Sequence, residues 1–132
     1  MPEVREYLFE DGRSPFAIWF DSLEPRAAAK VAVAKTKVAN GQTGNLEPVG
    51  EGVFEYKIDY GPGYRVYMAY DGSRLVILLG GGDKTTQSKD IATAKQLWIE
   101  YKRRKSENRK KRKEPEAKEN AGTSPKTRNP RK

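Results

Sequence analysis

The chain has 132 residues, and its 26 Lys plus Arg against 18 Asp plus Glu give a formal net charge of +8. It contains no histidine and no cysteine, which excludes a thiolate nucleophile, an imidazole base, a zinc site of the usual nitrogen–sulfur kind and any disulfide. A hard-cation site built from carboxylates stays open.

Met1 to Glu6 has no basic segment followed by an apolar one, and no stretch approaches the roughly 18 uninterrupted apolar residues of a membrane helix. The expectation is a soluble cytoplasmic protein. Val4 to Glu10 mixes Val4, Tyr7, Leu8 and Phe9 with charges and ends at Asp11-Gly12, which predicts a strand stopped by a turn. Ser14-Pro15 then sets an N-cap residue before a proline at the first helical position, and Phe16, Ile18, Trp19, Phe20 and Leu23 follow at mostly helical spacing. Pro25 opens a second helix whose stripe of Val31, Ala34 or Lys35, and Val38 is closed by Asn40-Gly41. The two read as an αα-hairpin.

From Val53 the period changes to two. Phe54, Tyr56, Ile58 and Tyr60 alternate with Glu55, Lys57 and Asp59, and Gly61-Pro62-Gly63 turns the chain back. On the return strand Tyr64, Val66 and Met68 alternate with Arg65 and Tyr67, and Asp71-Gly72 is a second hairpin signal. Leu75 to Leu79 is apolar at every position, as expected of a strand central in its sheet. Gly80-Gly81-Gly82 reads as a strand-to-helix loop, and Ile91, Ala94, Leu97, Trp98 and Tyr101 mark a last amphipathic helix. Trp19 and Trp98 lie on helical apolar stripes and are assigned to core packing. The order β-α-α-β-β-β-α predicts an α+β domain with one largely antiparallel sheet.

The charge is divided along the chain. Residues 1–101 carry 12 basic and 14 acidic side chains, a net of −2, whereas residues 102–132 carry 14 and 4, a net of +10. Beyond Tyr101 the apolar residues vanish, so we expect a folded domain over 1–105 and a basic tail over 106–132, disordered from about residue 110. That tail fits a tether to nucleic acid or ribosome, and equally a solvated run that maintains solubility.

Alternation also sorts the hairpin's chemistry. If Phe54, Tyr56, Ile58, Val66 and Met68 face the core, then Glu55, Lys57, Asp59, Arg65 and Tyr67 share the opposite, solvent-facing side. Lys84, after the glycine run, is placed at its rim. Such a face is either a set of cross-strand ion pairs or a phosphate-binding surface, with Arg65 offering a bidentate fork and Lys57 and Lys84 point charges.

Three stretches resemble a known group. They are Val49 to Tyr67 (with its Tyr60-Gly61-Pro62-Gly63-Tyr64-Arg65-Val66 segment), Leu78 to Gln87 followed by Asp90-Ile91-Ala92, and Asp11 to Phe16. In collinear order over about residues 3–101 the chain resembles the addiction-module killer proteins, a HigB-like branch of the RelE/ParE toxin superfamily. The resemblance implies the toxin of a type II toxin–antitoxin pair, held inactive by a small antitoxin, often a helix-turn-helix protein. In the RelE-like branch the toxin enters the ribosomal A site and cuts messenger RNA without metal or other cofactor, the RNA's own 2′-hydroxyl attacking the adjacent phosphate.

Carried over residue by residue, the resemblance makes Arg65, Lys57 and Lys84 catalytic candidates. Arg65 would clamp the scissile phosphate, Lys57 would act as general base or electrostatic stabiliser, and Lys84 would assist the leaving oxygen. Tyr67, Asp83 and Gln87 join them as substrate-contacting candidates. The chain departs from members that use histidine, and Tyr101, late and on an apolar stripe, is no secure match to the C-terminal tyrosine of RelE-like members, so the proton donor is unassigned. The other expectations within the superfamily are a non-enzymatic, ParE-like inhibitor of DNA gyrase and a degenerate, non-toxic binding member.

Overall fold

A computed structural model describes residues 2–113. The chain divides into two compact units at Trp98/Ile99. The first strand, β1 (Glu3–Glu6), is followed by helices α1 (Pro15–Asp21) and α2 (Pro25–Ala39). Four strands come next, β2 (Leu46–Gly50), β3 (Val53–Ile58), β4 (Tyr64–Asp71) and β5 (Leu75–Asp83). A 3₁₀ turn, Lys84–Thr86, leads into α3 (Gln87–Lys113).

Local chemistry sets the boundaries. β1 is shorter than its apolar content suggests, because the Phe9 and Arg13 backbones close a turn, with Phe9 N–H donating to Arg13 O at 2.8 Å. The Ser14 side chain accepts from Ala17 N–H at 3.0 Å and caps α1, a contact worth about 1 kcal/mol. The Glu24 carboxylate caps α2 by accepting from Arg26 and Ala27 N–H. Asn40 ends α2, and the Gly41 N–H returns to Val38 O in a left-handed conformation.

The strands form one sheet of order β1-β5-β4-β3-β2, in which only β1 and β5 run parallel. The α+β architecture and the largely antiparallel sheet are those expected, and β5 has a neighbour on each side. Alternation did not reveal β2, whose Leu46-Glu47-Pro48-Val49-Gly50 contains a proline. As an edge strand it can leave the missing Pro48 N–H outward.

One face of the sheet receives α1 and α2. Phe16, Val31 and Val38 from the helices are buried with Tyr56, Ile58, Val66 and Met68 from the strands, so the inward set read from alternation holds. On the other face, in register, lie Val53 with Ala69, Glu55 with Tyr67, and Lys57 with Arg65. The first turns of α3 reach this face, where Gln87 bonds Glu55 and Trp98 and Lys95 stand over Gly52 and Gly50.

In the second unit, the described residues 99–113 are helical and residues 99–110 are exposed in large part, with Arg103 ion-paired to Glu100 and Glu107. Helix thus continues past residue 110. The rest of the expected disordered tail lies outside the described residues. Among the described residues no helix is long and apolar enough to cross a membrane.

Candidate functional site

Lys57 on β3 and Arg65 on β4 are direct cross-strand partners, and Arg65 is in turn opposite Gly82 on β5. Lys84 begins the turn that follows β5. A Cβ added at Gly63 would stand 3.4 Å from Arg65 Nη1 and 3.8 Å from Lys84 Cβ. The guanidinium and the base of the Lys84 side chain therefore meet around Gly63, and the three candidate cations occupy one end of the sheet.

Their exposure corrects the sequence-based picture. Lys57, Asp59 and Lys84 are exposed, but Glu55, Arg65 and Tyr67 are only 4%, 6% and 1% exposed. The face opposite the apolar core is not an open surface, because the start of α3 covers it. Period-two patterning assigns residues to faces but contains no information about what later packs on a face.

Beneath α3 the buried groups converge on one carboxylate. Glu55 Oε2 accepts from Tyr67 Oη at 3.1 Å and from Gln87 Nε2 at 2.9 Å, and it stands 3.5 Å from Arg65 Nε. Arg65 Nη1 donates to the Gly63 carbonyl at 2.9 Å. The Arg65 Nε is buried and has no hydrogen-bond partner among the described residues, so its contact with Glu55 is an ion pair without hydrogen-bond geometry. Burial, and then the Glu55 charge, push the Tyr67 hydroxyl well above the ordinary tyrosine pKa, so it stays a donor. At 1% exposure Tyr67 offers no ring face to a substrate.

Asp83 and Gln87 are half-buried and already engaged. Asp83 Oδ1 accepts from the Thr85 hydroxyl at 2.6 Å and from Thr85 N–H at 2.9 Å, capping the turn that presents Lys84. These bonds hold its carboxyl below the ordinary range, the Thr85 hydroxyl contributing most.

The glycine run is a second correction. Gly80, Gly81 and Gly82 are not a loop but paired strand, opposite Tyr67, Val66 and Arg65, beyond a bulge at Tyr67/Met68. A Cβ at Gly81 would overlap the Trp19 ring of α1, and one at Gly82 would overlap the Asp90 carboxylate of α3. Glycine here lets a helix approach each face of the same strand. Asp90 also accepts from the Thr86 hydroxyl.

Sequence reasoning placed Glu55 on this face but gave it no role. The available signal was a carboxylate flanked by Phe54 and Tyr56 within the strand, with an arginine two positions from its cross-strand partner.

Residues 18–99 match the family model described as "Phage derived protein Gp49-like (DUF891)". The chain is also similar to a Haemophilus influenzae protein described only as uncharacterized, 46% identical over 83 residues, which is 62% of this chain and 84% of the relative. The residues matched to the family contain Lys57, Arg65, Lys84 and the whole Glu55 network.

Proposed function

The chain belongs to the Gp49-like, phage-derived family, a RelE-like toxin–antitoxin family, and from that premise we propose that it is a toxin that cleaves messenger RNA on the ribosome. The observation that carries this reading is the grouping of Lys57, Arg65 and Lys84 at one end of the sheet, two exposed ammonium groups beside a guanidinium fixed by Gly63 and Glu55. A cation cluster of this kind suits a phosphate that gains negative charge in the transition state.

In the proposed reaction the RNA 2′-oxygen gives its proton to Lys57 or to water and attacks the adjacent phosphorus, and the bond from phosphorus to the 5′-oxygen breaks as that oxygen takes a proton from Lys84 or from water. A 2′,3′-cyclic phosphate and a 5′-hydroxyl result. Arg65, only 6% exposed, contributes its charge from beneath the surface to stabilise the non-bridging oxygens, Lys57 acts on the 2′-oxygen as base or electrostatic stabiliser, and Lys84 stands toward the leaving 5′-oxygen. Because the 2′-oxygen is already tethered to its own phosphate, the protein's part is to hold the two in line and to stabilise charge. Tyr67 and Gln87 support the site from beneath, through Glu55. An antitoxin encoded beside the gene would hold the protein inactive.

Induced expression with primer-extension mapping of cellular transcripts tests the proposal. Discrete cuts within translated reading frames are expected. Growth arrest with intact transcripts and accumulating DNA breaks would overturn it in favour of gyrase inhibition, and unimpaired growth would favour a non-toxic binding member.

A further inference from the structure

We propose that Glu55 is a positioning residue for both buried and exposed cations of the site, holding the Arg65 guanidinium directly and the Lys84 turn through Gln87. The inference rests on the RNA-cleaving reading above for its effect on rate, while its geometry stands independently.

Glu55 is a buried carboxylate on a face whose neighbours Val53, Ala69, Ile77 and Leu79 are buried and apolar. An apolar pair at positions 55 and 65 would pack there without the desolvation that the two charges suffer, so fold stability alone gives little reason for the ion pair. Its contacts give another reason. A single oxygen, Oε2, faces Arg65 Nε and receives bonds from Tyr67 and Gln87. Tyr67 is fixed in β4, one strand from Glu55, and its raised pKa maintains it as a donor. Gln87 follows directly on the Lys84–Thr86 turn and opens α3.

Arg65 is therefore held at two points, Nη1 on the Gly63 carbonyl and Nε against Glu55. A guanidinium is planar, so two contacts at different nitrogens define its plane and restrict its long side chain to few rotamers. The Nη end is left at Gly63, beside Lys84. Through Gln87 the same carboxylate sets where the Lys84 turn ends. One buried group thus fixes the distance between a clamping guanidinium and an ammonium that acts on the neighbouring oxygen. Misplacement of such groups by about 1 Å can cost ~10²-fold in rate.

The test compares full-length wild type, Glu55→Gln and Glu55→Leu by three measurements. These are single-turnover cleavage on programmed ribosomes, ribosome binding, and the NMR signal of the Arg65 Nε–H. Leucine should leave ribosome binding intact, lower the single-turnover rate ~10²-fold and broaden the Arg65 signal. Glutamine retains an oxygen to accept from Tyr67 and should restore the rate to about tenfold below wild type, with a sharp signal. A rate in Glu55→Leu equal to wild type, or an Arg65 signal as sharp as in wild type, would overturn the proposal. If Glu55→Leu does not fold, a Glu55→Gln rate equal to wild type overturns it instead. Absence of cleavage by the wild type would refute the RNA-cleaving function, and the Arg65 signal in the two variants then decides whether Glu55 fixes the guanidinium.

Discussion

The two faces of the sheet are both buried, yet by different means. Under α1 and α2 the buried groups are aliphatic and aromatic, and Phe16, Val31, Val38, Val66 and Met68 are held by removal of apolar surface from water. Under the first turns of α3 the strands present a carboxylate, a guanidinium and a phenol that pair with one another and with Gln87. Burial alone does not separate the faces, because Glu55, Arg65 and Tyr67 are as inaccessible as the core. What separates them is tolerance. The apolar face accepts side chains of similar volume, whereas each member of the polar face depends on its partners keeping their charge and position.

The largest effect should come from removing half of the ion pair. Arg65→Ala leaves Glu55 buried without its cation and is expected to lose about 3–5 kcal/mol in urea unfolding, together with growth arrest on induction. Replacing both partners, Glu55→Leu with Arg65→Met, makes the second face resemble the first. That double variant should recover stability to within about 1 kcal/mol of wild type or exceed it, yet remain non-toxic. A toxic double variant would show that the polar face serves folding only.

The adjacent glycines of β5 probe the faces separately. Gly81→Ala drives a methyl into the Trp19 ring over the apolar core and should cost about 1–3 kcal/mol. Gly82→Ala meets the end of the Asp90 side chain, which can rotate away, so its thermal shift should be the smaller of the two. Equal shifts would mean that Asp90 is held as rigidly as a packed ring.

Alkaline pH should act on the polar face through Tyr67. Its folded pKa is raised above the unfolded value near 10. Its contribution to stability is therefore complete below about pH 10 and is lost as pH rises further, because the unfolded chain ionises first. Tyr60 and Tyr70 are shifted in the same direction, so Tyr67→Phe should flatten the alkaline decline in melting temperature in part rather than abolish it.

Lys57→Ala should change stability least. The side chain is exposed at the end of the polar face, and the melting temperature should stay that of wild type while transcript cleavage falls at least tenfold. A normal cleavage rate would remove Lys57 from the proposed site.

The fold was largely legible because its signals are local. Ser14-Pro15 and Asn40-Gly41 mark helix ends by capping chemistry, and Phe54, Tyr56, Ile58, Val66 and Met68 mark one face by the two-residue period of strands. β2 was not legible, since Pro48 and the glycines beside it resemble a loop until β3 is present to pair with. The glycine run was misread for a related reason. Gly81 and Gly82 are required by Trp19 and Asp90, which are distant in sequence. The site was legible as a list and not as an environment: Lys57, Arg65 and Lys84 do lie at one end of the sheet, but that Arg65 is buried against Glu55 depends on where α3 packs, which no pattern within the strands encodes.

The chemistry of the RNA ends tests the central claim most directly. Transcript fragments recovered after induction, or from programmed ribosomes, should end in a 2′,3′-cyclic phosphate and begin with a 5′-hydroxyl, because the RNA's own 2′-oxygen is the nucleophile. Fragments with a 3′-hydroxyl and a 5′-phosphate, or transcripts left whole while growth stops, would contradict it.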